Sequence, residues 1–350
     1  MSSLTETAYY TRRTINWTLL SIVGYFILRI FWGIIVMVWF IVFPPQAPPP
    51  NHAFGRLPAI KFPTTATPSG QLTFQLQTID GTVPGASASA SVYFMPKSAP
   101  NLLALNKTQE FAQQFQFNPA PIQENKNIYR FNDPENPLRR LRYDIVSKNF
   151  IIRYAFERDS SLFLEKNFTS IDALKLESQN ILDSNGLSPS DVDLENPIIS
   201  YLRLTGDQLT PTTSLSQSDA VRIDFFRLPI GGAPIVTPSA GEAPISIIFS
   251  GSVNIKKRLL QFAYTYWPID YQTQASYSLK SSILAWGELQ QGKGYIARYP
   301  KNGQTVTIRN VYLAYYDSFE PQTYLQPVYV FEGDEDFIAY IPAVVSEWTE

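Results

Sequence analysis

The sequence has no cysteine and a single histidine. The first absence excludes disulfides, thiol nucleophiles and thiolate-ligated metals. The second excludes a multi-histidine metal site, and His52 sits in a Pro-rich stretch, which leaves no histidine-based catalytic triad. Charge is also scarce: Asp, Glu, Lys and Arg make up 17% of the chain, and the formal net charge is -2. A nucleic-acid partner would want a basic face, and this balance argues against one. From these absences the chain is expected to be no enzyme, with no catalytic residue, no cofactor and no metal ligand assigned. Two close, buried carboxylates in a cleft would revive an enzymatic reading.

What the sequence does have is apolar and aromatic. It carries 20 Tyr and 23 Phe, spread through strand-like segments, as large twisted sheets require. Near the N-terminus lies WTLLSIVGYFILRIFWGIIVMVWFIVF (17–43). As a helix this run is about 40 Å long, and a bilayer core needs about 30 Å. A transmembrane helix over 17–43 is therefore expected. Its one charge is Arg29, which a central position would penalise by about 2.5–3.5 kcal/mol. A core over 24–43 places Arg29 near the N-terminal edge, where it can snorkel to the headgroups. Arg29 is also a candidate contact for another helix in the membrane.

Arg12 and Arg13 precede the run, and the other side is uncharged until Arg56. The positive-inside rule then places residues 1–16 as a cytoplasmic arm and the C-terminal part outside the cytoplasm. The expected location is the cell membrane, as a single-pass protein. Residues 44–63 begin with PPQAPPP and are expected to form a stiff extended stalk.

Beyond the stalk the periodicities predict an α+β ectodomain of repeated antiparallel sheet units, each packed by a helix. Residues 71–78 alternate Leu72, Phe74 and Leu76, with 91–95 as the expected partner strand; a helix over 99–115 completes a β-β-α segment within 64–126. A second unit, 127–228, has strands near 127–131, 139–147 and 149–157. Its helix, near 170–183, has Thr169 or Ser170 as N-cap and Gly186 as stop. After a linker over 229–243, the order recurs in 244–350. That unit is expected to have a long strand within 253–267, a helix near 276–291, and a hairpin joining 295–299 to 304–309 around Asn302 and Gly303.

Four local patterns invite chemistry. Residues 287–294 spell GELQQGKG, a match to the core of a phosphate-binding loop. Here it ends a predicted helix instead of opening one, so Gly292 is read as a helix stop. Asp191, Asp193 and Glu195 alternate as in a calcium loop, but Asn196 and Leu202 stand where that loop needs Gly and an acid; a solvated loop is expected. Asp334, Glu335 and Asp336 suit a hairpin tip, or an opportunistic cation site. Two basic clusters remain: Arg139, Arg140 and Arg142, and Lys256, Lys257 and Arg258. Either they are solvated or ion-paired, or they contact an anionic ligand such as an envelope polymer or lipid headgroup.

The last hundred residues combine a predicted hairpin and helix with YLAYY (312–316), LQPVYVF (325–331) and FIAYIPAV (337–344). In this pattern the segment 244–344 resembles the YycH/YycI family of membrane-anchored extracytoplasmic regulators. Tyr329 stands where that family often has Trp, and 44–126 has no counterpart. The resemblance implies one N-terminal span, repeated small α+β units and a non-enzymatic regulatory role in the bacterial cell envelope. It implies partners in the bilayer and in another membrane or envelope protein. The other function class open at this point is a binding module for an envelope polymer or small ligand.

Overall fold

The computed structural model describes residues 4–42, 49–64, 72–79, 81–85, 87–159, 161–168 and 170–350. The described residues up to 42 belong to one compact unit and those of Pro49–Glu350 to another. In chain order the elements are α1 (Leu4–Val42), β1 (Thr73–Leu76), β2 (Ser89–Phe94), α2 (Ala104–Gln114), β3 (Ile122–Gln123), β4 (Ile128–Asn132), β5 (Arg139–Asp144), β6 (Phe150–Tyr154) and α3 (Ile171–Ser184). Then follow β7 (Ile198–Thr205), β8 (Gln208–Thr212), β9 (Ala220–Phe225), β10 (Ile235–Val236), β11 (Ile245–Ser250), α4 (Ile255–Arg258), β12 (Leu259–Tyr264) and β13 (Asp270–Ser278). The chain closes with α5 (Ser282–Gln290), β14 (Tyr295–Arg298), β15 (Thr305–Tyr316), β16 (Tyr324–Gly333) and β17 (Ile338–Pro342). The fold is thus mixed α+β, with one N-terminal apolar helix and a large sheet-rich C-terminal region.

The 28 residues Arg12–Trp39 of α1 are long and apolar enough to cross a membrane, and none is buried. This stretch starts earlier than the expected 17–43 because helix continues back through the supposed arm to Leu4. Arg29 lies within this stretch. Arg29 makes no ion pair with any described residue.

Residues 44–48 of the expected stalk lie outside the described residues. From 49 onward the chain is packed, not a spacer. Leu57 is fully buried, its N–H donates to the Trp348 carbonyl at 2.8 Å, and Phe62 stacks on Tyr295 at 4.8 Å. His52 stacks on Trp348 at 3.9 Å. The apolar residues between the prolines cause this: Phe54, Leu57, Ile60 and Phe62 all join hydrophobic clusters of the body.

Among the described residues there are two large sheets. The first has nine strands in the order β3-β4-β5-β6-β12-β11-β9-β7-β8, every neighbour antiparallel. Helices α2 and α3 cover one face through Ala112, Leu174 and Leu182, against Phe131, Leu141, Ile152, Ile223, Ile247 and Phe262. Ser170 caps α3, accepting from the Ala173 N–H at 3.2 Å, and Gly186 ends it at φ +64°; Thr169 lies outside the described residues. The second sheet runs β1-β15-β16-β17-β14, with β10 added to β15 and β2 bridging β13 and β16. Its helix α5 inserts Ala285 and Leu289 between Tyr329, Phe331 and Ile341.

The sheets cut across the units expected from sequence. Strands β11 and β12, placed by periodicity in the C-terminal unit, lie in the middle of the nine-stranded sheet between β9 and β6. The expected linker 229–243 is a seam: β10 pairs in parallel with Tyr315 and Tyr316 of β15, and the Tyr340 hydroxyl donates to the Thr237 carbonyl at 3.0 Å. Three local expectations give way to long-range pairing. Strand β1 runs parallel to β15 instead of pairing with β2. Residues 276–278 extend β13 and do not start the helix, because Ser281 caps α5, accepting from Leu284 N–H at 3.3 Å. Gly303 makes its turn at φ +79°, yet β14 pairs with β17 and β15 with β16. A turn residue fixes a change of direction; the register is set by which apolar faces must be buried.

The two sheets are joined by an ionic cluster. Arg227, just after β9, donates from Nε to Asp317 Oδ2 at the end of β15, at 2.6 Å. It also donates to Asp191 in the loop after α3 and to the Trp267 carbonyl. Its side chain is 0% exposed and that of Asp317 2%. Burial alone would lower the Arg227 guanidinium; the carboxylates of Asp317 and Asp191 outweigh this and hold it charged. Removing one partner of such a pair strands a buried charge. Arg227→Ala is therefore expected to reduce unfolding free energy by about 3–5 kcal/mol. The exposed Arg153→Ala should cost about 1 kcal/mol or less. Urea denaturation followed by tryptophan fluorescence measures both.

Candidate functional site

The predicted basic clusters meet in the structure but divide by the pleat. Strand β5 alternates: Arg139, Leu141 and Tyr143 face the helices and are buried, while Arg140 and Arg142 face outward. Arg139 is 4% exposed. It donates to the Phe115 carbonyl at 2.8 Å and to Asp133 Oδ2 at 3.1 Å, and lies over the Phe117 ring at 4.4 Å. Its environment is structural.

Residues 256–258 form the short helix α4 rather than the start of a long strand. Asn254 caps it, accepting from the Lys256 N–H at 2.9 Å. Each cation then takes a separate acid. Lys256 reaches Glu135 at 2.8 Å and Asp133 at 3.2 Å, Lys257 reaches Asp159 at 2.8 Å, and Arg258 grips Glu177 through two nitrogens at 2.7 and 2.9 Å. Burial by itself would raise the Asp133 carboxyl; hydrogen bonds from the Glu135 N–H, Arg139, Lys256 and the Asn136 N–H together hold it below its ordinary value. Asp159 is likewise lowered, mainly by Lys257 and the Tyr154 hydroxyl acting against burial.

Between α2, α3 and α4 opens an apolar cavity of about 240 Å³, lined by Phe115, Ile181, Phe249 and Leu259, with Arg139 and Lys256 also on its wall. The Nε of Arg139 has no hydrogen-bond partner. The charges around this cavity are already matched by Asp133, Glu135 and Glu177.

The outward arginines have a different setting. Arg140 and Arg142 share the outer sheet face with Arg130 of β4 and Arg153 of β6. Arg130 is directly opposite Arg142, and Arg140 opposite Arg153. Together with Arg158 they line an open cleft of about 620 Å³. Glu124 serves both Arg142, at 2.9 Å, and Arg130, at 3.4 Å; Glu157 serves Arg153. Arg140 and Arg158 have no ion-pair partner among the described residues. Sequence reading missed Arg130, Arg153 and Arg158, because they join this face only through strand register and a turn after β6.

The remaining motifs resolve structurally. The GELQQGKG match ends α5: Gly292 has φ +72° and the Lys293 N–H donates to the Glu288 carbonyl at 3.0 Å, the backbone pattern that closes a helix. Asp191 belongs to the Arg227 cluster and accepts from the Tyr266 hydroxyl at 2.8 Å; it is not in a solvated loop. The acids at 334–336 sit at the tip between β16 and β17, where Asp334 takes Arg309 at 2.8 Å and Asp336 takes Lys301 at 2.7 Å. Among the described residues no group of three or more His, Asp or Glu could hold a metal ion.

No protein-family model matches the chain, and no curated protein matches it. Among solved structures, an uncharacterized protein from Eubacterium rectale ATCC 33656 aligns at 13% identity and a TM-score of 0.41, covering 74% of this chain and 84% of that one.

The acid behaviour of Asp133 supplies a test. Its folded carboxyl lies below the unfolded value, so the unfolded chain takes up the proton first as pH falls. The stability it contributes is complete above the ordinary carboxylate range and is lost below about pH 4. Asp133→Asn is expected to lower stability at pH 7 and to flatten the loss between pH 5 and 3, as read by urea midpoints across that range.

Proposed function

We propose that the protein is a non-catalytic, single-pass membrane protein. Its N-terminus is cytoplasmic and its sheet-rich body extracytoplasmic. It acts by contact with another membrane or envelope protein, as its resemblance to the YycH/YycI regulators implies. The observation that carries this reading is the bare apolar helix: no residue of Arg12–Trp39 is buried. Apolar surface left in water costs about 25 cal/mol per Å², and a bilayer removes that cost. Anchoring also holds the body at high effective concentration beside a partner, where a weak contact suffices. Arg29, a cation within the apolar stretch, is suited to a polar group on a neighbouring helix.

The one histidine is stacked on Trp348 and lies 3.3 Å from Ser278 Oγ. The buried carboxylate Asp317 is held by Arg227 at the seam between the sheets. A second reading, a module that binds an envelope polymer or small ligand, draws on the arginine-lined cleft.

Two measurements test the first reading. Because the chain lacks cysteine, single cysteines report topology cleanly. In intact cells Asn302→Cys should react with a membrane-impermeant maleimide, and Ser3→Cys only after lysis; the reverse pattern overturns the orientation. Crosslinking with mass spectrometry in the native membrane should recover one recurrent membrane or envelope protein, and Arg29→Leu should weaken its co-purification. Loss of neither the partner nor its yield in Arg29→Leu removes the intramembrane contact from the reading.

A further inference from the structure

We infer that the outer face of strands β4–β6 binds a linear phosphate-bearing polyanion that lacks bases. This deepens the second reading above and does not depend on the identity of any protein partner.

The outer face carries a repulsion that two glutamates offset only in part. Like charges directly opposite on neighbouring strands are destabilising, and this face has two such pairs, Arg130 with Arg142 and Arg140 with Arg153. The cleft is lined by five arginines and only two glutamates. One of those acids, Glu124, is divided between Arg130 and Arg142. Arg142 and Arg153 keep 55% and 56% of their side chains in solvent, so the charges do not support the core. The inner face of the same strands shows what a structural arginine looks like here: Arg139, buried on Asp133.

Residue type and spacing select the ligand. The basic residues of the cleft are all arginine, whose planar fork takes two phosphate oxygens at once. Arg140 and Arg142 are two residues apart on one strand, about 6.6 Å, and neighbouring strands are about 4.8 Å apart. The arginines thus form a grid that meets anions repeating every few ångström along a chain. The rest of the lining is Pro137, Leu138, Ile151 and Ala155. It has no aromatic ring on which a base could stack, so nucleic acid would gain charge contacts only. An acidic peptide is less well served. Strands β4, β5 and β6 have partners on both sides, and their backbone groups are not free to add a strand.

The test uses the full-length chain in nanodiscs of zwitterionic lipid, with fluorescent linear polyphosphate as the probe. Arg140→Ala/Arg158→Ala removes the two arginines without ion-pair partners, so an unchanged urea midpoint is expected. Polyphosphate affinity should fall about tenfold or more, and the slope of log affinity against log salt should shrink by about one to two. Arg203→Ala, an exposed arginine of β7 outside the cleft, should change neither. Wild-type affinity and slope in the double variant overturn the proposal. So does competition by polyglutamate of equal charge that matches or exceeds polyphosphate, which would transfer the face to an acidic protein partner. Anionic-lipid nanodiscs identify the source. Weaker polyphosphate binding there, absent in the double variant, makes lipid phosphate the ligand; unchanged binding makes it a free polymer. A recurrent protein crosslink alongside failed polyphosphate binding would leave the partner reading standing and this one overturned.

Discussion

A single buried guanidinium ties the two sheets to each other. Arg227 collects a carboxylate from the loop after α3, another from the end of β15 and a carbonyl from the stretch between β12 and β13. Those groups come from both sheets. The Tyr266 ring lies under the guanidinium at 4.5 Å, and Asp191 also accepts from the Tyr271 hydroxyl at 3.0 Å, so the cation and both acids are shielded on several sides. In such a place a charge is tolerable only while every partner is present. The cluster consequently constrains more than its own contacts: it requires β9, β15 and the segment after β12 to arrive in one arrangement. The short parallel pairing of β10 with β15 continues the same seam.

The topology is one that the order of elements does not suggest. The chain leaves the nine-stranded sheet after β6, builds α3, and returns at the far side as β7, β8 and β9. It then touches the other sheet through β10 before β11 and β12 fill the gap between β9 and β6. A hairpin over residues 245–264 thus completes a sheet begun at residue 122. Its residues Ile245, Ile247, Phe249, Leu259, Phe262 and Tyr264 join the cluster covered by α2 and α3.

The same sheet sorts charge. On its inner side Arg139 has the surroundings of a core residue, with an acid, a carbonyl and an aromatic ring. On its outer side four arginines stand in two opposed pairs with little acid between them. The cations of α4 look equally basic in sequence but are tied to Asp133, Glu135, Asp159 and Glu177. Arg130, Arg142 and Arg153 share two glutamates, and Arg140 and Arg158 have no ion-pair partner among the described residues; the proposed ligand site rests on that imbalance.

The sequence by itself determined the features that depend on neighbours along the chain. An apolar run broken by a single charge, Arg29, makes a helix long and apolar enough to cross a membrane. Ser170 and Gly186 delimit α3 because caps satisfy backbone groups within one turn, and the alternation of β5 separates Arg139 from Arg140 and Arg142 because the pleat has a period of two. The absence of cysteine and the single histidine narrowed the chemistry at once. Pairing was another matter. Gly303 marks a turn, but whether the strands on either side bond to each other depends on surfaces far away, and here they do not. The linker that became a seam, the stalk whose Leu57 is in the core, and the Arg227–Asp317 contact share one cause. Each joins residues distant in sequence, and no local pattern encodes which apolar face or buried charge will meet which; only the packed tertiary structure decided that.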